Sequence, residues 1–297
     1  MKIGLNGSVM EASDAVISVY DHGFLYGMGL FETFRTYKGK PYLLDRHMNR
    51  LQSGCEQIGI RYRPDLPAIS GFVSVLLAAN GLEDGYVRMT VSAGVAELGL
   101  PSGDYEEPNV LLLIKALPPG NDAVHMRGRE LRLLQTRRNT PEGDIRLKSL
   151  HYMNNIIAKR ELVASGASAG AEGLMLSREG WLAEGIVSNL FFLKDNVIHT
   201  PSIATGILPG ITRGRVLELA QEAGYWTEEG LYGWEHLMGA EEIWLTNSVQ
   251  ELIPVTVLTD TRGTSLQVSG GEAGTVTRQL LSIYRNTTTA GSDAAQT

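Results

Sequence analysis

A single cysteine in 297 residues, Cys55, leaves no partner for an internal disulfide, so the fold must rest on packing, and a reducing cytoplasm is the expected home. No apolar run approaches the roughly eighteen residues that cross a bilayer. Met1 to Glu11 holds no basic stretch followed by an apolar core, so neither a membrane span nor a secretory signal is expected. Positive charge is scarce as well. Against 33 Asp and Glu stand 26 Lys and Arg, a formal charge of −7, which argues against a nucleic-acid partner. The six histidines lack spacing with acidic or thiol partners, so no metal is expected, and no internal repeat recurs at a fixed period.

What is present is ordinary for a soluble globular protein: 43% hydrophobic and 20% charged residues, in a chain longer than the usual single domain. We expect a mixed α/β (α+β) fold of two domains. Residues 1–117 form a small N-terminal sheet-plus-helices domain, 118–125 a linker around the stiff Leu117-Pro118-Pro119-Gly120-Asn121, 126–285 a larger domain, and 286–297 a disordered tail of Thr, Ala, Gly and Ser. Alternation and turn residues predict strands at Lys2 to Val9, Ala15 to Val19, Phe31 to Tyr37, Pro41 to Leu44, Tyr86 to Ala93 and Asn109 to Ala116. Leu44, Met48, Leu51, Cys55 and Ile58 recur at helical spacing, and Ala68 to Asn80 repeats the pattern until Gly81. Cys55 on that stripe reads as core.

The second half reads as a meander: a helix from about Leu150 to Ser165, then strands Gly173 to Leu176, Trp181 to Ala183, Leu190 to Leu193 and Val197 to Thr200. A helix from Thr212 to Ala223, another near Trp234, and strands Glu242 to Thr246 and Pro254 to Leu258 follow, with Trp226 and Trp234 packing against the late helices.

Lysine is scarce, which narrows any covalent amine to few candidates: Lys2, Lys38, Lys40, Lys115, Lys148, Lys159 and Lys194. Lys2 is terminal, Lys38, Lys40 and Lys194 flank turns, Lys159 sits beside Arg160 and Glu161 on a helix flank, and Lys115 ends a strand. Lys148 alone stands where a core element meets a helix start. Desolvation and the positive end of a helix would both disfavour its ammonium form and make a nucleophilic amine, able to hold an aldehyde cofactor as a Schiff base. The same pattern also suits a solvated lysine before a helix.

Glu184, in Trp181-Leu182-Ala183-Glu184-Gly185-Ile186-Val187-Ser188-Asn189, is a carboxylate in an apolar region. Facing a pyridine nitrogen it would keep the ring protonated; facing outward it is an ordinary hairpin residue. Leu208-Pro209-Gly210-Ile211-Thr212-Arg213 opens a helix with a glycine for close approach and a threonine as capping hydroxyl, a pattern that suits a phosphate and equally a plain helix start. Asn247-Ser248 offers a second polar turn. Arg50 has the fork for a bidentate phosphate contact, or is simply a surface residue.

Taken in order, Asp21-His22-Gly23-Phe24-Leu25-Tyr26-Gly27, Leu30-Phe31-Glu32-Thr33-Phe34-Arg35, His47-Met48-Asn49-Arg50-Leu51, Lys148 with Tyr152, Glu184-Gly185 with Ser188-Asn189-Leu190-Phe191, and Leu208 to Arg213 resemble the motifs of the class IV pyridoxal-phosphate enzymes, over nearly the whole chain to about Arg285. The resemblance implies a two-domain fold-type IV architecture with a C-terminal pseudo-barrel, pyridoxal 5'-phosphate as cofactor, and a homodimer. It implies Lys148 as Schiff-base lysine and proton shuttle, Glu184 on the pyridine nitrogen and Tyr152 on the phenolic oxygen. Arg50, Gly210, Ile211, Thr212, Asn247 and Ser248 are implied around the phosphate, with Asn189 beside the cofactor. It places Phe31, Thr33, Arg35 and Arg88 around the substrate, Thr33 as a second proton donor, and Tyr26 reaching in from the partner subunit.

Within the family, Val91 to Gly99 lacks the Arg and His two apart that trap the carboxylate in D-amino acid aminotransferases. Asn247-Ser248 stands where branched-chain enzymes have Gly-Thr, and Thr33 where they have glycine. Arg88 to Gly94, Lys148 to Tyr152 and Thr246 to Pro254 are most similar to the aminodeoxychorismate lyases, which make 4-aminobenzoate and pyruvate. The alternative is an aminotransferase acting on branched-chain or D-amino acids with a 2-oxo acid acceptor.

Overall fold

The computed structural model describes residues 1–118 and 122–290. The chain divides into two compact units: Met1–Pro119 together with Leu147–His151, and Gly120–Arg146 together with Tyr152–Thr297.

The first unit opens on a hairpin, β1 (Lys2–Leu5) and β2 (Ser8–Glu11), turned by Asn6 and Gly7, both at positive φ as a tight two-residue turn requires. A single helical turn, α1 (His22–Leu25), is capped by Asp21, whose carboxylate accepts the Gly23 N–H. Then come β3 (Gly29–Tyr37), β4 (Lys40–Pro41), α2 (Leu44–Gln57), α3 (Leu66–Ala79), β5 (Gly85–Ser92) and β6 (Asn109–Ala116). The strands form one antiparallel sheet in the order β2-β1-β6-β5-β3-β4. Phe34, Val87, Met89 and Ile114 pack with Met48, Leu51 and Cys55 of α2 and Val73 and Leu76 of α3. Cys55 is core, and burial pushes its thiol up to about 12, with Glu56 adding to the shift.

Ala15 to Val19, expected as a strand, is not one. Val16 and Val19 are exposed, and with no neighbouring strand to pair, local β propensity has nothing to stabilise it.

The second unit runs α4 (Asp122–Arg127), β7 (Arg129–Leu133), α5 (Met153–Ala164), β8 (Glu172–Leu176), β9 (Leu182–Gly185), β10 (Asn189–Lys194), β11 (Val197–Pro201), α6 (Ile211–Glu222), β12 (Trp226–Gly230), α7 (Trp234–Met238), β13 (Glu242–Asn247), β14 (Glu251–Thr259), β15 (Ser265–Gln267) and α8 (Thr275–Ala290). Its sheet has the order β12-β11-β10-β13-β14-β7-β8-β9, with β15 on β14. The terminal strand β9 returns against β10 and β11, so the sheet curls into a half-barrel.

The meander is only partly right. β8–β9, β10–β11, β10–β13 and β13–β14 are antiparallel, but β7–β8, β11–β12 and β14–β7 are parallel. Helices α5 and α6 make the crossovers that parallel neighbours require, and β7 and β12 escape a reading by apolar alternation because they are rich in charged residues.

The C-terminal helix α8 departs from expectation as well. Val276, Leu280 and Tyr284 are buried at helical spacing, and the Glu242 carboxylate of β13 accepts the N–H groups of Val276 (2.9 Å) and Thr277 (2.8 Å) at its start. The expected tail is therefore helical through Ala290, where Thr287 and Thr288 turn their hydroxyls onto the backbone carbonyls of Tyr284 and Arg285; residues 291–297 lie outside the described part. Of the expected linker 118–125, residues from Asp122 on are in α4, and 119–121 lie outside the described residues. Trp234 packs on the core of the second unit, but Trp226 is 78% exposed, contrary to the expectation of packing.

Candidate active site

Lys148 lies in an extended segment added to the free edge of β3. Phe31 N–H donates to the Lys148 carbonyl (2.9 Å), Leu150 N–H to the Gly29 carbonyl (3.0 Å), and Leu30 bridges Ser149. The lysine is thus not at a helix start: α5 begins only at Met153, and no helix-terminus argument applies to its amine.

The pairing puts Lys148 opposite Phe31. Strand alternation then gathers one face: Phe31, Thr33 and Arg35 on β3, with Arg88 of β5 directly across from Thr33. Lys148 Nζ stands 4.6 Å and Arg88 Cζ 3.5 Å from the Phe31 ring centroid, and Arg35 Cζ is 4.3 Å from that of Tyr37. The amine, a hydroxyl and two guanidinium groups therefore share one side of a sheet, brought there by period-two spacing.

The opposite side of β3 holds Glu32, 1% exposed. Arg50 donates to it from Nε (2.7 Å, Oε1) and Nη2 (2.7 Å, Oε2), and His47 Nδ1 lies 2.7 Å from Oε2. Burial would raise this carboxyl, but the Arg50 charge and the His47 contact outweigh it and hold it at about 2. Burial pushes His47 down, so a neutral imidazole donating from Nδ1 fits the site. Glu32 takes two of the three Arg50 nitrogens, so the bidentate fork expected for a phosphate is spent inside the unit. Tyr26 caps α1, is 40% exposed, and its hydroxyl accepts the Gly99 N–H at 3.1 Å.

In the second unit Glu184 is 5% exposed on β9, not the outward hairpin residue. Arg138 Nε donates to Oε1 at 2.7 Å, while Leu208 N–H (3.0 Å) and Asn189 Nδ2 (3.3 Å) reach Oε2. Arg146 Nε stands 4.0 Å away, and burial, with Arg138 as a like-charged neighbour, pushes this guanidinium down to about 10. Arg146 also donates to the Asn139 carbonyl. Sequence reasoning misses Arg138 and Arg146; the only signal is two arginines flanking the polar turn Asn139-Thr140-Pro141, and nothing local tells a buried arginine from a surface one.

Helix α6 begins at Gly210 without a side-chain cap, and its first-turn hydroxyl, Thr212 Oγ1, lies 3.1 Å from Ser248 Oγ. Thr212 is inside the helix, so its hydroxyl meets Ser248 and does not cap. A β-carbon at Gly210 would fall 2.0 Å from Asn189 Oδ1, so the glycine is needed for close approach. Asn189 Nδ2 also donates to the Leu208 carbonyl (2.9 Å), tying the loop before α6 to β10. Asn247 spends its side-chain oxygen on the N–H groups of Val249 and Gln250 and so shapes the turn that presents Ser248. Tyr152 is the N-cap of α5. An uncapped helix start flanked by two hydroxyls suits a phosphate, and a buried carboxylate steadied by an arginine suits a protonated ring nitrogen, so these residues fit a phosphorylated pyridine cofactor.

Among the described residues no cluster of three or more His, Cys, Asp or Glu could hold a metal, and no helix is long and apolar enough to cross a membrane.

Comparison with known proteins identifies the family. Residues 29–258 match the family model described as amino-transferase class IV. The chain is 42% identical over 285 residues to the aminodeoxychorismate lyase of Bacillus subtilis (strain 168), covering 95% of this chain and 93% of the relative. It superposes on the crystal structure of 4-amino-4-deoxychorismate lyase from Pseudomonas aeruginosa with a TM-score of 0.81 at 29% identity, covering 96% of this chain and 98% of the other. On the branched-chain aminotransferase of the thermophilic archaeon Thermoproteus uzoniensis, solved with norvaline, the TM-score is 0.82 at 25% identity, covering 99% and 96%. A family model that covers most of the chain and a relative alike along nearly its whole length lead to one conclusion: this chain belongs to the class IV aminotransferase family.

Proposed function

We propose that the chain is an aminodeoxychorismate lyase that uses pyridoxal 5'-phosphate to convert 4-amino-4-deoxychorismate to 4-aminobenzoate and pyruvate. The observation that carries this reading is the sheet face on which Lys148, Thr33, Arg35 and Arg88 alternate into one neighbourhood. The full-length likeness to a lyase supports the choice of reaction.

Bound to Lys148, the cofactor ring would take up the electron pair left when the C–H bond at the amine-bearing carbon breaks. Lys148 Nζ would hold the cofactor between turnovers and, when not so engaged, accept that proton. Lys148 Nζ or the Thr33 hydroxyl then returns a proton to the departing enolpyruvyl group, which leaves as pyruvate while the ring becomes aromatic. The proton lost from the ring carbon reappears on the pyruvate methyl, so no water or oxidant is consumed. Arg35 and Arg88 hold the two substrate carboxylates, with Phe31 beneath Arg88 limiting its swing. Glu184, fixed by Arg138, keeps the pyridine nitrogen protonated. Ser248, Thr212 and the N–H groups at Gly210 and Ile211 receive the phosphate, with Asn247 shaping the turn, Arg50 adding charge, Asn189 steadying the loop and Tyr152 bonding the phenolic oxygen. We further assign a cytoplasmic homodimer in which Tyr26 serves the partner's site.

The purified protein is mixed with aminodeoxychorismate and pyridoxal phosphate, without a keto acid, and 4-aminobenzoate fluorescence and pyruvate are followed together. Catalytic appearance of both in equal amounts is expected. Turnover only with a branched-chain or D-amino acid and a 2-oxo acid would instead make it an aminotransferase, whose chemistry needs the same lysine and glutamate.

A further inference from the structure

The turn that presents Ser248 is held from outside itself. After Asn247 and Ser248 the chain re-enters β14 at Glu251 with φ of 64°, a left-handed conformation that a β-carbon disfavours, and yet Glu251 is only 3% exposed. Its Oε2 accepts Arg285 Nε at 2.7 Å from α8. His125 of α4 lies 3.9 Å from the same oxygen and 3.3 Å from Arg285 Nη2. The neighbouring Gln250 is gripped as well: its carbonyl lies 3.4 Å from His125 Nε2, and its Oε1 accepts Arg129 Nη1 (3.4 Å) and Asn247 Nδ2 (3.2 Å). Elements distant in sequence thus converge on one short turn.

Simple covering of the sheet does not account for this. Val276, Leu280, Leu281 and Tyr284 already give α8 its apolar grip, and Arg285 adds an ion pair directed at a carboxylate in a strained backbone position. Strain of this kind persists where the surroundings over-determine it, and it collects at functional sites.

We infer that Glu251 and Arg285 form a clasp that positions Ser248 against Thr212 for the cofactor phosphate. The inference rests on the proposed use of pyridoxal phosphate. Both are positioning residues: they act through the turn and touch no cofactor atom.

The test compares two probes on the apoprotein, pyridoxal 5'-phosphate and pyridoxal, which lacks the phosphate, by titrating the absorbance band each gives when bound at Lys148. Arg285→Gln and Glu251→Gly should each weaken pyridoxal phosphate about tenfold and pyridoxal less than twofold, the scale lost when a residue that orients a bound group's direct contact is removed. The glycine variant is at ease at positive φ, so it removes the clasp without forcing the backbone. Ser248→Ala should show the same discrimination, and Arg285→Gln combined with it should add no more than about twofold, because both act through one contact. The inference is overturned if Arg285→Gln and Glu251→Gly leave pyridoxal phosphate affinity within about twofold, or weaken both probes equally, as a general structural role would. A wild-type chain that binds pyridoxal phosphate no more tightly than pyridoxal overturns the clasp and the cofactor reading together; wild-type preference for the phosphate with none lost in the variants overturns the clasp alone.

Discussion

The Lys148 face of the first unit and the Glu184 cluster of the second hold polar groups in opposite ways. On the first, half-buried polar side chains stand side by side on β3, β5 and an added edge segment, with rings beneath the cations. In the second, Glu184 is sealed, and its oxygens are taken by Arg138, Asn189 and the Leu208 N–H. A group that must leave and return during a reaction needs room to swing, whereas a group that only sets a charge gains from being fixed. Under the proposed function, the difference gives movement to one region and holding to the other.

Lys148→Ala is the strongest test of the contrast. It should abolish covalent cofactor attachment and lower turnover at least about a thousandfold, the scale of a lost general base, as read by absorbance and 4-aminobenzoate release. A variant with normal turnover would remove the first region from the chemistry. Glu184→Ala should keep the cofactor bound yet slow turnover about a hundredfold or more; loss of binding with undiminished turnover by the remaining holoenzyme would reverse its role.

Glu32 sharpens the comparison because it lies on the strand of the first region but is held like the second. Its folded value of about 2 is below the ordinary 4.5, so its pairing stabilises the protein fully above about pH 4.5 and is lost as pH falls toward 2. That difference corresponds to about 3 kcal/mol. Denaturant unfolding of Glu32→Gln should show this loss at pH 7 and a flatter acid limb than wild type; an unchanged acid limb would contradict it. Gly210→Ala is the smallest effect: its β-carbon must displace Asn189 Oδ1, which costs about 1–3 kcal/mol in thermal unfolding as an overpacked contact does, and should weaken phosphate-bearing cofactor more than turnover. No change in either would mean that Asn189 swings away freely.

Much of the first region is legible in the residues themselves. Lysine scarcity singles out Lys148, and alternation along Phe31, Thr33 and Arg35 is visible along the chain. The helix-start argument for the lysine fails, since an added edge strand carries it. That pairing joins residues more than a hundred positions apart and leaves no local mark. Arg138, Arg146 and the Glu32–Arg50 fork are illegible for the same reason: an arginine's burial and partner depend on distant chain. Helix α8 is readable from Val276, Leu280 and Tyr284, but threonine-rich composition conceals the stripe.

The sequence by itself determined most of the apolar strands and helices, the candidate amine and carboxylate, and the ordered motifs of the family, because turn residues, periodicity and residue chemistry are local properties. Only the tertiary structure decided which strands run parallel, that Lys148 faces Phe31, that Arg50 spends its fork on Glu32, and that Arg285 reaches Glu251. Those outcomes depend on contacts between distant segments, whose geometry is set by packing the whole chain at once.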